Sequence, residues 1–505
     1  MTIQPSWVIP IAPDDPSERI LEKAAHVIPT PRQRAWQELE LSAFVHFGVN
    51  TFTDLEWGTG LENPAIFNPS DLDARHWCRV LKEAGFRQVV LTAKHHDGFC
   101  LWPSRYTEFS VKNSPWRGGK GDVLRELSQA AAEFGLKLGI YLSPADLHEI
   151  EAPGGRYGNA SPAEESVIPT PVSGDRRTPQ QHFTFTVDDY NRYYLNQLYE
   201  LLTEYGPVHE VWFDGANPKP GIPETYNYED WFRLVRALAP EAVIFNGPDV
   251  RWVGNEDGFA RQTEWSVLPF QGDPQLGSRQ VDALSRDLGS RERLLAGADY
   301  LAWSPAEVDV SIRPGWFYHT DEDERVKDLE KLMEIYLASV GRNGLLLLNI
   351  PPDRRGRFHE MDGQRVQEFG VELRRIFQRD FTHGGQAHAS DSLPGCGPER
   401  AIDGNPETFW QPPPGQTGGE WTLDLARPAT FNLVLLGESL SIGQRVESFA
   451  VDAWQDGAWR EIASGTTIGY KRILHLKPLQ ARSVRLRILQ SRLNPAIRTF
   501  GLYQR

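Results

Sequence analysis

Apolar and polar positions follow a repeating order through the first three quarters of the chain. A short apolar run rich in β-branched and aromatic residues is followed by a polar turn and then by a stretch of helical period. The apolar runs lie at 41–49, 88–94, 137–143, 209–215, 242–247, 263–267, 301–310 and 344–350. Helix-like segments at 70–85, 121–135, 188–205, 226–239 and 324–341 separate them. The first of these opens on Asp71 and Asp73 and closes on Gly85, which are stop and start signals at both ends. Runs buried on both faces and alternating with helices predict a parallel sheet covered by helices. Eight runs between residues 41 and 350 favour a (β/α)8 (TIM) barrel over an open doubly wound sheet. No Gly-x-Gly-x-x-Gly follows the first run, which weakens a dinucleotide-binding alternative.

Three stretches depart from this order. Residues 1–35 are Pro-rich and read as an extended arm wrapping the first domain. Residues 150–182 are rich in Pro, Gly and Ser and follow the third strand. In a barrel they lie on the catalytic face, either as a substrate-shaping loop or as a surface insertion. After residue 380 the helical period disappears. Short alternating runs at 420–426, 431–438, 447–455, 458–464, 470–478 and 482–490 predict an all-β sandwich. The division is therefore a barrel with its N-terminal arm over 1–380 and a sandwich over 381–505. A chain of 505 residues accommodates one such large unit and one small one.

Composition narrows the partners. The chain is 40% hydrophobic, enough for a large core, and carries a formal charge of −15. A negative field repels phosphate backbones, so nucleic acid is not the expected partner. No run of about 20 apolar residues is present, so no membrane span is expected. Cys78, Cys100 and Cys396 form neither a disulfide framework nor a zinc motif. The N-terminus lacks a basic segment followed by a continuous apolar one, which predicts a cytoplasmic protein. Sixteen Trp against three Met is unusual. Packing accounts for at least half of them; the others suggest flat apolar faces beside polar groups, which suit a sugar ring.

Barrel chemistry sits at the C-terminal ends of the strands. There the sequence offers His46, then Lys94-His95-His96-Asp97, Tyr141, Trp212 and Asp214. Further on come Arg251, Trp252, Asn255, Glu256 and Asp257, then Glu264 and Trp265, then Trp316. Asp214 follows the apolar Val211, Trp212 and Phe213, so it is either a helix cap or a catalytic carboxylate. Glycoside hydrolysis needs a second carboxylate, and Glu256, Asp257 and Glu264 all qualify. His95 and His96 suggest a metal, with Asp97 and His46 completing the set. Adjacent residues on an extended chain point to opposite faces, however. Neutral imidazoles that donate to and accept from sugar hydroxyls fit a Trp-rich pocket better.

The blocks FVHFGVNTFTDLEWG (44–58), LTAKHHDGFCLWPS (91–104), VWFDG (211–215), RWVGNEDG (251–258), TEWS (263–266) and RPGWF (313–317) resemble the α-L-fucosidases of glycoside hydrolase family 29. The HFG, EWG and RWVGNE blocks are most similar to the subfamily acting on α-1,3/1,4-linked branched fucosides. The resemblance implies an exo-acting, retaining enzyme for fucosylated oligosaccharides that needs no cofactor in catalysis. It implies Asp214 as nucleophile and Glu256 as acid/base, with Asp214 ionised and Glu256 protonated at rest. It places His46, His95, His96, Tyr141 and Trp212 around the fucose, and Glu56, Trp57, Arg251 and Trp316 as further sugar contacts. Glu264 is the rival acid/base, with a pocket-orienting role favoured for it, and Asp257 is a turn residue.

The stretch Ala401 to Trp410, A-x-D-G-x-x-x-T-x-W, followed by WTLDL at 421–425, resembles the discoidin-like, coagulation-factor type C sandwich, a relative of family 32 carbohydrate-binding modules. Such a domain binds glycan or buttresses the barrel, and some relatives hold a structural Ca²⁺, here near Asp403. Two other classes stay open at this point. One is a glycan-binding protein without catalysis, whose mark would be a lost carboxylate. The other is a metal-dependent barrel hydrolase working at His95 and His96.

Overall fold

Every one of the seven residues from Gln88 to Lys94 is buried. A strand buried on both faces belongs inside a covered parallel sheet. The computed structural model describes residues 3–175, 177–179, 181–217, 219–276 and 285–505. Among these, eight parallel strands form one sheet: β1 (Leu41–Val45), β2 (Gln88–Lys94), β3 (Lys137–Leu142), β4 (Val208–Trp212), β5 (Val243–Phe245), β6 (Arg251–Trp252), β7 (Ala306–Ser311) and β8 (Leu345–Asn349). Each strand pairs with its neighbours in chain order, and β8 pairs with β1. The remaining seam, between β5 and β6, is bridged at Phe245 and Val250. The expected barrel is therefore present and nearly closed.

Helices cover it: α1 (Ala74–Ala84), α2 (Val123–Phe134), α3 (Asp189–Glu204), α4 (Tyr228–Leu238), α5 (Leu329–Ala338) and α6 (Glu360–Phe377). The first five start alike. Asp73, Asp122, Asp188, Asn227 and Asp328 each accept a hydrogen bond from the amide three residues on. That bond satisfies a donor the helix leaves open and fixes where each helix begins. The sequence pattern does not announce α6, because Gly363 and Gly370 interrupt its apolar stripe. Gly370 is there for contact: a Cβ on it would lie 2.4 Å from the Ala84 Cα of α1.

Three expectations need correction. The run at 263–267 does not supply the sixth barrel strand; Arg251–Trp252 does. Val267–Phe270 instead pairs antiparallel with Tyr300–Trp303, which pairs antiparallel with Val8–Pro10. Its hydrophobicity belongs to this second sheet, whereas a two-residue strand has no pattern to detect. The run at 301–310 divides for the same reason. Its first part joins the small sheet, its second is β7, and Pro305, which has no amide to donate, lies between them. Finally, the N-terminal arm is not simply extended. It contains the strand above and two helices, Ser17–Ala24 and Pro31–Gln37. The second of these starts at a Thr30–Gln33 capping box with Pro31 in its first turn.

The insertion at 150–182 supplies the strand Glu164–Ile168, which pairs with Phe183–Val187. Beyond α6 the chain is all-β, as expected. Two 20-residue strands, Gly419–Glu438 and Arg472–Ser491, pair antiparallel, with a register shift between Asp424 and Ala429. Each unites two of the shorter runs visible in the sequence. Gln386–Ala389, Val446–Gln455, Ala458–Gly465 and Ile497–Tyr503 complete the sheet. Its core holds Trp410, Trp421, Phe431, Phe449 and Phe500.

One charged contact fixes the rim of the barrel. Lys94, the last residue of β2, meets Asp146 at 2.9 Å, and both side chains are fully buried. Asp146 also caps the short helix Leu147–Glu151 and accepts from the Tyr193 hydroxyl. The Lys94 ammonium lies 5.1 Å from the Tyr193 ring centre. Removing one partner strands a buried charge, whereas replacing both does not. Asp146→Ala is expected to cost ~3–5 kcal/mol, read as a lowered thermal unfolding temperature. Lys94→Met combined with Asp146→Leu is expected to recover most of that loss.

Candidate active site

Three histidines converge at the strand ends. His46 follows β1, and its Nδ1 lies 2.8 Å from Asn349 Oδ1 at the end of β8. The Asn349 amide nitrogen donates to Ser311 Oγ and to the Trp316 carbonyl, so its oxygen is the acceptor. His46 therefore carries its proton on Nδ1 and presents a lone pair on Nε2. Burial pushes its pKa down to about 3. Burial, with help from His96 and His46, also holds His95 well below the usual range. Burial lowers His96 as well, against the upward pull of Asp214. The rings of His95 and His96 are 4.2 Å apart, and those of His46 and His95 5.6 Å. The result is a neutral imidazole surface that can accept or donate hydrogen bonds.

Asp214 stands two residues beyond β4. Its Oδ2 accepts from the Tyr141 hydroxyl at 2.8 Å and its Oδ1 from the Ala216 amide at 2.8 Å. His96 Nε2 is 3.6 Å from Oδ2, and the carboxylate remains 24% exposed. Asp214 is not the cap of the following helix, because Asn227 holds that place. Burial and the Asp214 charge keep the Tyr141 hydroxyl protonated, so it serves as a donor. Its ring stacks on Trp212, which stacks on Phe245 at 3.9 Å.

The second carboxylate comes from the loop after β6. Glu256 Oε2 accepts from Trp316 Nε1 at 3.2 Å, and the Trp316 ring lies 5.1 Å from that of His46. Asp309, buried on β7, lies in the field of both acidic residues. Burial, with the charges of Glu256 and Asp214, pushes its pKa up to about 7 despite a 2.8 Å bond from Trp252 Nε1. Glu56 accepts from the Trp316 and Phe317 amides and from His319 Nε2 at 2.7 Å, so it holds the Trp316 loop in place. Trp57, 47% exposed, lies 4.6 Å from the His96 ring, and Trp252 is 38% exposed.

Arg251 and Glu264 are not brought to this open face. They form a buried ion pair, and Arg251 also donates to the Ser304 and Trp265 carbonyls. Their polar atoms are consumed behind the strand ends. The main chain of Glu264 is in turn held by the C-terminal domain. Its amide donates to Thr467 Oγ1 at 3.1 Å and its carbonyl accepts from Gln444 Nε2 at 3.1 Å. Asp257 is exposed, and its amide donates to Asn255 Oδ1 in a local turn.

Sequence reasoning missed Asn349, Asp309 and His319. Asn349 ends a run of four leucines, the same signal that singled out the other strand ends. Asp309 and His319 carry no such mark, because their importance comes from partners distant in the chain. Among the described residues no group of three His, Cys, Asp or Glu is arranged to hold a metal. Asp403 accepts from Thr408 Oγ1 and the Asn405 amide, with Arg400 Nη1 3.4 Å away. A guanidinium that close opposes a divalent cation, so this carboxylate does not fit a calcium site.

The family model for Alpha-L-fucosidase matches residues 61–375, and that for the F5/8 type C domain matches residues 386–499. The Alpha-L-fucosidase 1 of Arabidopsis thaliana is 40% identical over 94% of this chain and 87% of its own length. The Plasma alpha-L-fucosidase of Rattus norvegicus is 28% identical over 67% of this chain and 62% of its own. A Ruminococcus gnavus GH29 fucosidase solved in complex with fucose is 31% identical, with a TM-score of 0.80, covering 94% of this chain and 95% of that one.

Glu264→Ala is expected to leave the Arg251 charge buried and unbalanced. The expected cost is ~3–5 kcal/mol, measured as a lowered thermal unfolding temperature of the full chain.

Proposed function

The chain belongs to the α-L-fucosidase family, glycoside hydrolase family 29, and is an α-L-fucosidase; on that premise we propose that it releases terminal α-1,3/1,4-linked fucose from branched oligosaccharides with retention of anomeric configuration. The observation that carries this reading is the pair of carboxylates at one barrel mouth, Asp214 oriented by Tyr141 and Glu256 held by Trp316. A retaining glycosidase needs two carboxyl groups in two different roles. The more constrained of the two is suited to attack. Tyr141 and the Ala216 amide fix both oxygens of Asp214, so the reacting atom costs little to orient.

In the first step an Asp214 oxygen bonds to the anomeric carbon as the bond to the leaving oxygen breaks. Glu256 gives that oxygen its proton. Its exposure on the loop suits a group that must meet both the leaving sugar and, later, water. In the second step Glu256 takes a proton from water, and the water oxygen displaces Asp214. The neutral histidines serve the fucose hydroxyls. His46 Nε2 accepts from one of them, a role that a protonated imidazole could not fill. Trp316 and Trp57 supply flat apolar surface around the ring, whereas the Trp212 indole is taken up by its stacking on Tyr141 and Phe245 and supports the site from behind. The EWG block supports the branched-substrate reading: Glu56 braces the Trp316 loop, while Trp57 stands out at the mouth where a second sugar would lie.

Four measurements test this. Trisaccharides bearing α-1,3- or α-1,4-fucose on GlcNAc are expected to release fucose faster than an α-1,2-fucoside; release from neither would overturn the reading. NMR of the first-formed sugar is expected to show the α anomer. Glu256→Ala is expected to lower turnover of the natural glycan by about 10²–10⁴-fold. It should spare an activated aryl fucoside and respond to azide. Asp214→Ala retaining near-normal turnover would remove it as nucleophile.

A further inference from the structure

Below the strand ends, two glutamates meet across the barrel interior. Glu210 on β4 and Glu307 on β7 are fully buried, and each acts on the ionisation of the other. One oxygen of each has donors elsewhere. Glu210 Oε2 accepts from Trp36 Nε1 at 3.2 Å and from the Gln88 side-chain amide. Glu307 Oε1 accepts from Trp212 Nε1 at 2.7 Å. The other oxygens, Glu210 Oε1 and Glu307 Oε2, meet no N–H or O–H donor. Two carboxylates have only lone pairs to offer, so they bond only through a proton held between them.

The surroundings demand the same. Among the described residues neither glutamate forms an ion pair. The leading charged influences on them are each other and Asp309 of β7, which itself lies in the field of Glu256 and Asp214. All are acidic, and burial adds to their effect. Two full charges side by side in this interior would carry a large penalty.

We propose that Glu210 and Glu307 share one proton, and that this acid–carboxylate pair is the positioning element for Trp212 and, through Tyr141, for Asp214. The link is continuous. Glu307 fixes the Trp212 indole by its N–H, Tyr141 stacks on the other end of that contact with ring centres 5.2 Å apart, and the Tyr141 hydroxyl donates to Asp214 Oδ2. Only the catalytic consequence rests on Asp214 as nucleophile; the shared proton does not.

The pair also has a pH signature. In the unfolded chain both glutamates ionise near the ordinary value of about 4.3. In the fold, burial raises both, Glu210 to about 7 and Glu307 further. The stability they contribute is complete below the unfolded value and declines as pH rises; the share of Glu210 is lost as pH passes about 7, while Glu307, raised further, keeps the shared proton.

Glu307→Gln tests the proposal in the full-length enzyme. Its amide can donate to Glu210 in place of the proton, and its carbonyl can still accept from Trp212. Three results are expected. The infrared absorption of buried protonated carboxyls loses one component in the variant. Its unfolding temperature falls less steeply than the wild type's between pH 5 and 9. Turnover of an aryl fucoside falls about tenfold or more in Glu307→Leu, with KM little changed, and Glu307→Gln restores it. A carboxyl band and a pH slope unchanged in Glu307→Gln would overturn the shared proton. Wild-type turnover in folded Glu307→Leu, or inactivity in Glu307→Gln, would overturn the positioning role. Should Glu307→Leu not fold, the Gln variant's band and slope still decide the first claim and its turnover the second. Failure of the nucleophile reading looks different: Asp214→Ala would stay active while the infrared and pH results held.

Discussion

Lys94 and Asp146 meet fully buried, and that single contact states the constraint under which the barrel is built. Charge in its interior must be paired or neutralised. Arg251 and Glu264 follow the first course. His46, His95 and His96 follow the second, stripped of their protons by burial. Asp97 and Asp309, each pushed up to about 7, stand at the border between the two. Asp214 keeps part of its carboxylate open to solvent, and Glu256 is exposed on its loop. The fold thereby directs formal charge to the place where bond making needs it and presents neutral groups to the sugar.

This constraint explains what could be read from the chain alone. Strands buried on both faces announce themselves as apolar runs, and β2 is found to the residue. Asx caps announce the helices that follow. Polar residues closing such runs therefore point to the site, which is how His46, Tyr141 and Asp214 could be found. The rule has two blind spots. It treats hydrophobicity as barrel hydrophobicity, so the run at 263–267, which leads into the Val267–Phe270 strand of the small sheet, reads as the sixth barrel strand in place of the two-residue β6. It also ignores depth. Arg251 and Glu264 look like pocket residues in sequence and face inward in space, since an ion pair between residues 13 apart leaves no periodic trace. Asp309, on an otherwise apolar strand, is silent for the same reason.

The C-terminal domain and the barrel meet where this matters most. Asn343 of the barrel donates to the Glu264 carbonyl and accepts from the Tyr470 amide, joining both units at one side chain. Gln444 takes the Glu264 carbonyl with its nitrogen and the Ser266 amide with its oxygen. Glu264 in turn holds Arg251, where the strand leading to Glu256 begins. The all-β unit is thus in mechanical continuity with the loop that bears the acid/base candidate.

The form of that grip bears on how the two units could change over time. The hydrogen bonds that Gln444 and Thr467 make with Glu264 and Ser266 go to main-chain atoms. Peptide groups are the same in every sequence, so this part of the junction does not depend on which side chains stand there. The two surfaces are free to drift apart in composition while the register between them is kept. A barrel with a remodelled sugar pocket could retain this partner, and the partner could acquire new loops without loosening the barrel.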